Sequence, residues 1–303
     1  MNEDYYYRNC TYKDLPKICM IELTNSCNFS CIMCSNKFMT RKKGFMTKEI
    51  FVKTLNECEK AKIKDIKLYT TGESILHPKF LEFFKIADTY DFDSIMISTN
   101  GSLLTENLFD ELMKSKKIKI QFSFSGWDKK GYESKYVGGN FEDVKNKIHY
   151  ILNAIKKVNL PKNTLTINGV TTGVTGGIQK TKEFLKKEFN LDDNQLFIHN
   201  SNNWIDVIKH NNSNSKEENK RYYCHISNIR IGVLYDGGVT ACGCLDVNGE
   251  LMIGNIQNQS FKDIRNGEKF NQFKEKLMKG EISDLMCKNC DSLKEIYTKL
   301  TAF

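Results

Sequence analysis

Three cysteines stand close together in the segment CNFSCIMC, residues 27–34. Cys27, Cys31 and Cys34 have the spacing C-x3-C-x2-C, and no fourth cysteine lies nearby in the sequence. A structural zinc site takes four ligands, usually from paired C-x2-C motifs. Three thiolates instead suit a [4Fe-4S] cluster that keeps one iron open to a substrate or cofactor. The spacing therefore favours an iron–sulfur cluster over zinc.

The composition limits the class of protein. The 303 residues can build one large α/β domain with an appendage. There is no run of 18 apolar residues and no signal-peptide core near the amino terminus, so we expect a cytoplasmic protein without membrane association. Eleven cysteines in a reducing compartment indicate metal binding or chemistry. The net charge of +8 is spread along the chain and not interleaved with aromatic residues, so nucleic-acid binding is not expected.

Strand-like and helix-like segments alternate through the first two hundred residues. The apolar residues between Phe141 and Ile155 recur at the spacing of one helix face. Six strands separated by helices predict a parallel sheet, open or curled into a partial barrel, with ligands beyond the carboxyl ends of the strands. The predicted strands are 19–23, 66–69, 94–98, 120–124, 165–170 and 195–199.

The last third of the chain has another pattern. Polar residues 211–221 predict a linker between a domain of residues 1–210 and a small α+β domain of residues 222–303. A hairpin is predicted to turn at Asp236–Gly238, and a helix is predicted over 261–280. Five cysteines fall in this part, namely Cys224, Cys242, Cys244, Cys287 and Cys290.

The cysteine loop after the first strand resembles the signature of the radical S-adenosylmethionine (SAM) enzymes. TTGES, residues 70–74, resembles the Gly-Gly-Glu-Pro motif of that family: Gly72 and Glu73 match, whereas Thr71 and Ser74 depart from it. The resemblance implies that Glu73 pairs with the amino group of SAM, since a carboxylate can bind an ammonium group. Glycine at position 72 would let the backbone approach closely.

Two further strand ends extend the resemblance. STNG, after the third strand, resembles the segment that reaches the SAM ribose, which implies contacts from Ser98 and Asn100. SFSG stands where relatives often have Ser-x-Asp-Gly, which implies Ser123 near the SAM carboxylate, with Ser125 in place of the acid. The family resemblance implies a partial (β/α)6 parallel barrel, a [4Fe-4S] cluster on the three clustered cysteines, and hydrogen abstraction by a radical derived from SAM.

The carboxyl-terminal cysteines resemble the twitch domain, a short relative of the SPASM domain. Cys224 and Cys242 form C-x12-G-x4-C around Gly237, and Cys287 and Cys290 form C-x2-C. The resemblance implies one auxiliary [4Fe-4S] cluster, hence two clusters in all; a four-cysteine zinc site is the alternative. Two clusters would lower the net charge from +8 to about +5. That balance still favours an acidic electron donor, flavodoxin or ferredoxin.

The resemblance leaves the reaction open. The auxiliary spacing is similar to that of the 2-deoxy-scyllo-inosamine dehydrogenases, which favours dehydrogenation of a hydroxyl-rich small molecule, a sugar or aminocyclitol. Cys244 is a spare ligand, an inert neighbour, or the hydrogen donor of a radical epimerase. Peptide maturation is a third reaction, although only about eighteen residues precede the first predicted strand. A metal-storage protein is the non-catalytic alternative.

Candidate acid–base residues lie at or near the same strand ends. His199 is the preferred catalytic candidate, although a single histidine is more often structural. The further candidates are Glu73, His77 and Asp128, and Cys10, Cys19 and Cys58 are interpreted as small buried residues.

Overall fold

The computed structural model describes five ranges, residues 15–171, 177–200, 220–243, 246–290 and 292–295. The strands are β1 (Ile18–Ile21), β2 (Asp65–Lys67), β3 (Ser94–Thr99), β4 (Ile118–Ser123), β5 (Leu165–Thr171), β6 (Leu196–Asn200), β7 (Tyr222–Cys224), β8 (Arg230–Val233), β9 (Gly238–Thr240), β10 (Met252–Asn255) and β11 (Leu293–Glu295). The helices are α1 (Lys48–Lys60), α2 (Phe80–Asp88), α3 (Glu106–Leu112), α4 (Lys129–Glu133), α5 (Phe141–Lys157), α6 (Gly177–Phe189), α7 (His225–Ile229), α8 (Phe261–Asn266) and α9 (Glu268–Lys279).

One sheet carries most of the fold. Its strand order is β10-β9-β8-β1-β2-β3-β4-β5-β6, and β1 to β6 are parallel. All six strands predicted for the first two hundred residues are present, with ends that differ by about two residues, which is the usual uncertainty of strand and helix ends. The predicted α/β fold, a partial (β/α)6 barrel with a small antiparallel carboxyl-terminal part, is confirmed.

Helix α5 shows how the sequence builds these layers. Asn140 caps it, because its Oδ1 accepts a 3.0 Å hydrogen bond from the N–H of Asp143. Its apolar residues between Phe141 and Ile155 are buried on one face, as their spacing predicts. The ring of Phe141 lies 5.9 Å from that of Phe124, directly beyond β4. Apolar packing of this kind covers the outer face of the sheet and leaves the strand ends for the site.

The carboxyl-terminal strands extend the same sheet. Strand β8 pairs with β1 in parallel, from Ile18 opposite Arg230 to Ile21 opposite Val233. The predicted hairpin is present between β8 and β9, and Gly237 has φ +85° at its turn, a conformation that favours glycine. The second cysteine set is therefore attached to the strand that precedes the first set.

Residues 261–280 are helical as predicted, but the helix is interrupted at Gly267 and forms two parts, α8 and α9. Ser260 caps α8 in a capping box with Asp263, and α8 ends before Gly267. Gly267 has extended backbone and begins α9. Glycine costs about 1 kcal/mol in a helix interior, so a break at this residue is physically reasonable.

Two sequence predictions concern the segment between the amino-terminal and carboxyl-terminal parts of the chain. Residues 201–219 lie outside the described ranges, so the linker over 211–221 and the boundary between the two domains remain predictions. Across the described residues, we find no helix whose length and apolar character would let it cross a membrane.

Candidate active site

The amino-terminal cysteines lie on the loop that follows β1. The Sγ atoms of Cys27 and Cys34 accept 3.4 Å hydrogen bonds from the N–H groups of Phe29 and Asn36. The N–H of Cys34 donates to the carbonyl of Cys31 at 3.1 Å and closes the turn between them. All three cysteines line one cavity of about 210 Å³. The loop therefore places them around a common space.

The surroundings of these thiols oppose thiolate formation in the absence of a cation. Burial raises the pKa of Cys27 to about 11 and that of Cys31 to about 12, and neighbouring thiolates add to both shifts. Burial also raises the pKa of Cys34, against a backbone hydrogen bond and the charges of Lys43 and Lys37. Iron binds the thiolate form, so metal binding would offset this cost.

The arrangement of the three cysteines meets the requirement of a [4Fe-4S] cluster. Among the described residues, no three His, Cys, Asp or Glu side chains converge closely enough to hold one metal ion. A [4Fe-4S] cluster binds each thiolate through a different iron, so its ligands surround a volume and need not converge on a point. Three cysteines around one cavity meet that requirement.

Gly72 and Glu73 follow β2 and line the same cavity. A Cβ atom on Gly72 would lie 2.1 Å from the carbonyl oxygen of Thr24, so only glycine fits this close approach. The N–H of Glu73 donates to the carbonyl of Ser26 at 2.8 Å. The Glu73 side chain is buried, and its Oε2 accepts a 2.8 Å hydrogen bond from the N–H of Asn100. The carboxylate is thus fixed at the cavity wall.

Burial dominates the electrostatics of this carboxylate. It raises the pKa of Glu73 to about 7, although hydrogen bonds from Asn100, Thr99 and Ile75 favour the ionised form. A partly ionised carboxylate in a buried site gains strongly from an opposite charge nearby. Glu73 is therefore suited to bind an ammonium group.

Ser98, Asn100 and Ser123 lie at the ends of β3 and β4 and also line the cavity. Asn100 is held in place, because its Nδ2 donates to Oδ1 of Asn28 at 3.0 Å. Its Oδ1 accepts hydrogen bonds from the N–H and the hydroxyl of Ser102, at 2.9 and 2.7 Å. The structure brings together every residue predicted for the SAM side, and their contacts with the cofactor stay predictions.

His199 lies near the carboxyl end of β6 and is not among the residues that line this cavity. It pairs in register with Val170, a cavity-lining residue of β5. The Nδ1 of His199 is 3.0 Å from the carbonyl oxygen of Asn200. A carbonyl only accepts, so Nδ1 carries the proton and Nε2 is the basic nitrogen of the neutral ring. The role of His199 stays a prediction.

Two other acid–base candidates have structural tasks. The Nε2 of buried His77 bonds the carbonyl of Met46 at 2.9 Å, and its Nδ1 accepts from the N–H of Lys79 at 3.1 Å. Both ring nitrogens are occupied, and burial lowers the pKa of His77. Asp128 is exposed and caps α4, since its Oδ1 accepts from the N–H of Gly131 at 2.6 Å. Neither residue lines the cavity.

The sequence reasoning missed several residues that line the cavity, among them Asn168, Val170 and Tyr136. Asn168 and Val170 project from β5, and Tyr136 comes from the segment after α4. Ser125 does not line the cavity but supports it, because its Oγ donates to the carbonyl of Val170 at 2.6 Å and lies 3.3 Å from the hydroxyl of Tyr136. The alternation of side chains in LTINGV could have indicated that Asn168 and Val170 share a face.

A buried ion pair also escaped the sequence reasoning. Glu22, next to β1, binds Arg41 through two hydrogen bonds of 3.0 and 2.7 Å. The hydroxyl of Thr70 donates to Glu22 at 2.9 Å, and the N–H of Tyr235 donates at 3.3 Å. The Nε of Arg41 donates to the carbonyl of Val247 at 2.7 Å. One carboxylate therefore joins β1, the segment before Gly72 and the carboxyl-terminal part. A lone glutamate in an apolar strand was the available signal.

The second cysteine set gathers beside β7. Cys224 pairs in register with Leu293 of β11, and the turn before β11 carries Cys287 and Cys290. Burial, with the charges of Cys224 and Cys290, raises the pKa of Cys287 to about 12. These three cysteines lie within electrostatic range of each other. Cys244 lies outside the described residues, so its role stays a prediction.

Cys242 follows β9 and borders a second, much smaller cavity of about 10 Å³. Glu22 and Thr70 line the same space from the amino-terminal side, and Asp246 lines it from the carboxyl-terminal side. The charge of Asp246 also contributes to the raised pKa of Cys287. Cys242 thus lies at the junction of the two parts of the molecule. Its place in a common ligand set stays a prediction.

Two family models match the chain. The model of the radical SAM superfamily matches residues 21–184, and that of the SPASM iron–sulfur cluster-binding domain matches residues 224–291. A tungsten-containing aldehyde ferredoxin oxidoreductase cofactor-modifying protein of Pyrococcus furiosus is 32% identical over 108 residues, which are 35% of this chain and 30% of that protein. The chain thus spans less than a third of the length of this curated relative.

Solved structures with the same fold cover most of the chain. BtrN in complex with AdoMet and 2-DOIA has a TM-score of 0.61 at 18% identity, over 92% of this chain and 94% of BtrN. Streptococcus suis SuiB bound to its precursor peptide SuiA has a TM-score of 0.67 at 11% identity, over 86% of this chain and 67% of SuiB. The superfamily model spans more than half of the residues of this chain, and the three amino-terminal cysteines and Glu73 share one cavity. The chain therefore belongs to the radical SAM superfamily.

Proposed function

We propose that this chain dehydrogenates a hydroxyl-rich small molecule, a sugar or an aminocyclitol, with SAM and two [4Fe-4S] clusters. The observation that carries the proposal is the second cysteine set. Cys224, Cys287 and Cys290 lie within electrostatic range of each other, on a part of the chain that shares its sheet with the first set. An iron–sulfur cluster there would supply an acceptor for the electron that a dehydrogenation releases.

The amino-terminal residues have the following proposed tasks. Cys27, Cys31 and Cys34 hold the first cluster, and Glu73 binds the ammonium group of SAM beside Gly72. Ser98 and Asn100 contact the ribose, and Ser123 contacts the carboxylate. When bound, cluster and cofactor supply a carbon radical that takes one hydrogen atom from the substrate. The protein orients both partners and excludes water from the cavity.

The likeness to BtrN is the reason for proposing a small substrate. The chain covers 94% of BtrN, which was crystallised with AdoMet and 2-DOIA. SuiB, which was crystallised with a precursor peptide, shares the fold over 67% of its length, so peptide maturation remains the alternative.

We also propose that His199 accepts the proton that the substrate hydroxyl must lose. Its Nδ1 donates to the carbonyl of Asn200, which leaves Nε2 as a proton acceptor. It lies on β6 in register with Val170, a residue of the cavity wall. His77 lacks such a nitrogen, because both of its ring nitrogens have partners. His199 is thus the better placed of the two histidines.

Product analysis tests the proposal. The anaerobically reconstituted protein is incubated with SAM, a reductant and a panel of sugars and aminocyclitols carrying deuterium at single carbons. We expect deuterium in 5′-deoxyadenosine and a product lighter by two hydrogens. Uptake of solvent deuterium into a product of unchanged composition, abolished by Cys244→Ala, would establish epimerisation instead. His199→Gln should lower the turnover of substrate while SAM binding stays unchanged.

A further inference from the structure

The surface outside the amino-terminal cysteine loop is apolar at its centre and basic at its edge. Exposed large apolar side chains are few among the described residues, and three of them belong to this region. Ile32 is 42% exposed, Phe38 is 46% exposed and Val137 is 45% exposed. We call this surface, together with Lys37, Lys42 and Lys43, the cluster-loop surface.

Hydrogen bonds show that its parts are adjacent. The N–H of Ser30 donates to the carbonyl of Val137 at 2.9 Å, so the cysteine loop lies along the segment that follows α4. The ammonium group of Lys37 bonds the carbonyl of Ile32 at 3.0 Å and lies 4.9 Å from the centre of the Phe38 ring. The apolar residues and Lys37 therefore form one continuous patch. Asn25 joins Lys42 to the same region, because its Nδ2 donates to the carbonyl of Lys42 at 2.9 Å and its carbonyl accepts from Nδ2 of Asn36 at 2.8 Å.

The charge of the patch has one sign. No aspartate or glutamate occurs from residue 23 to residue 48, a stretch with four basic residues before Lys48. Arg41 is neutralised by Glu22. Lys37 and Lys43 bond carbonyl and amide oxygens and, like exposed Lys42, have no carboxylate partner among the described residues. The patch therefore presents uncompensated positive charge to solvent.

We infer that the cluster-loop surface is the docking site of a small acidic one-electron carrier protein, an inference that rests on the proposed function. Positive charge around an apolar centre complements an acidic carrier and guides its approach. Ile32 is adjacent in sequence to Cys31, and consecutive Cα atoms are about 3.8 Å apart. A carrier seated on Ile32 and Phe38 would be separated from the candidate cluster by the thickness of one loop.

The test compares two reductants on the reconstituted holoenzyme with SAM. Reduced flavodoxin needs a docking surface, whereas reduced methyl viologen is a small cation that needs none. For Lys42→Glu, we expect the flavodoxin-driven rate of 5′-deoxyadenosine formation to fall about threefold at low salt. The viologen-driven rate should stay as in the wild type. In about 0.5 M NaCl the difference between variant and wild type should shrink, because salt screens exposed charges.

A matched control and a second variant make the test decisive. Lys116→Glu changes the net charge equally at the opposite ends of the strands, just before β4, and should leave both rates unchanged. Phe38→Ser should weaken flavodoxin binding, measured by calorimetry, without altering cluster content. Equal losses with both reductants, an equal effect of the control variant, or unchanged flavodoxin binding in both surface variants would overturn the inference. A wild-type protein that fails to cleave SAM even with viologen would instead refute the proposed function.

Discussion

Removal of Arg41 is expected to destabilise the protein strongly, because it leaves Glu22 buried without its counter-charge. Glu22 is 1% exposed and accepts two hydrogen bonds from Arg41. After Arg41→Met, only the neutral donors of Thr70, Thr71 and Tyr235 remain. Loss of one partner of a buried ion pair costs about 3–5 kcal/mol. With an m-value of about 3 kcal/mol/M, the midpoint of urea unfolding should fall by about 1–1.7 M.

The charge explanation predicts that a second substitution relieves the first. Glu22→Gln removes the stranded charge but keeps an oxygen that can accept from Thr70 or Tyr235, so the double variant should regain about 2 kcal/mol over Arg41→Met. Lys48 and Glu82 form a 2.9 Å pair whose side chains are 50% and 42% exposed. Lys48→Met serves as a control and should cost under about 1 kcal/mol. Urea titration of the reconstituted proteins under anaerobic conditions measures all four. A cost below about 1 kcal/mol for Arg41→Met, or a double variant less stable than it, would refute the reasoning.

Three further predictions concern the cavity and the second cysteine set. Protonation of Glu73, whose pKa is about 7, removes the charge that binds an ammonium group. The affinity for SAM should therefore fall about fivefold from pH 7.0 to pH 6.0. Equilibrium dialysis should show this loss in the wild type and none in Glu73→Gln. Gly72→Ala would place a Cβ atom 2.1 Å from a carbonyl oxygen and should weaken SAM binding at least about tenfold. Gly131→Ala is the control, because its Cβ atom would have its nearest contact at 3.1 Å, and it should bind SAM normally. Cys290→Ala should lower the iron content from about eight to about four atoms per chain and retain the spectrum of the amino-terminal cluster. Loss of all iron would contradict separate clusters.

Local patterns predicted the strands and explain why residues at the ends of the strands share one cavity. Each of the six amino-terminal strands is a short apolar run bounded by polar residues, and parallel pairing places all their carboxyl ends at one edge. Gly72, Glu73, Ser98 and Ser123 each follow or end such a run, which is why they meet around one cavity. The strand pattern explains why these positions meet, whereas the choice of these residues came from the family motifs that they resemble.

Long-range contacts were not predictable in the same way. The pairing of Ile18 with Arg230 joins residues more than two hundred positions apart, and nothing local to either strand specifies the partner. The hairpin itself was predicted, but its attachment to β1 was not. The hydrogen bond between His77 and Met46 is another contact that the local sequence does not specify. It occupies a ring nitrogen of a histidine that was a candidate base. Tertiary contacts decided these cases.

The shared sheet has a consequence for how a substrate enters. Strands β1 and β8 are joined by a parallel ladder over four residue pairs, and the ion pair of Glu22 with Arg41 reinforces the junction. A hinge between the amino-terminal and carboxyl-terminal parts would have to break this ladder, at a cost of about 0.5–1.5 kcal/mol for each main-chain hydrogen bond. The two parts are therefore expected to move together, so that the two cysteine sets keep their separation while a substrate enters.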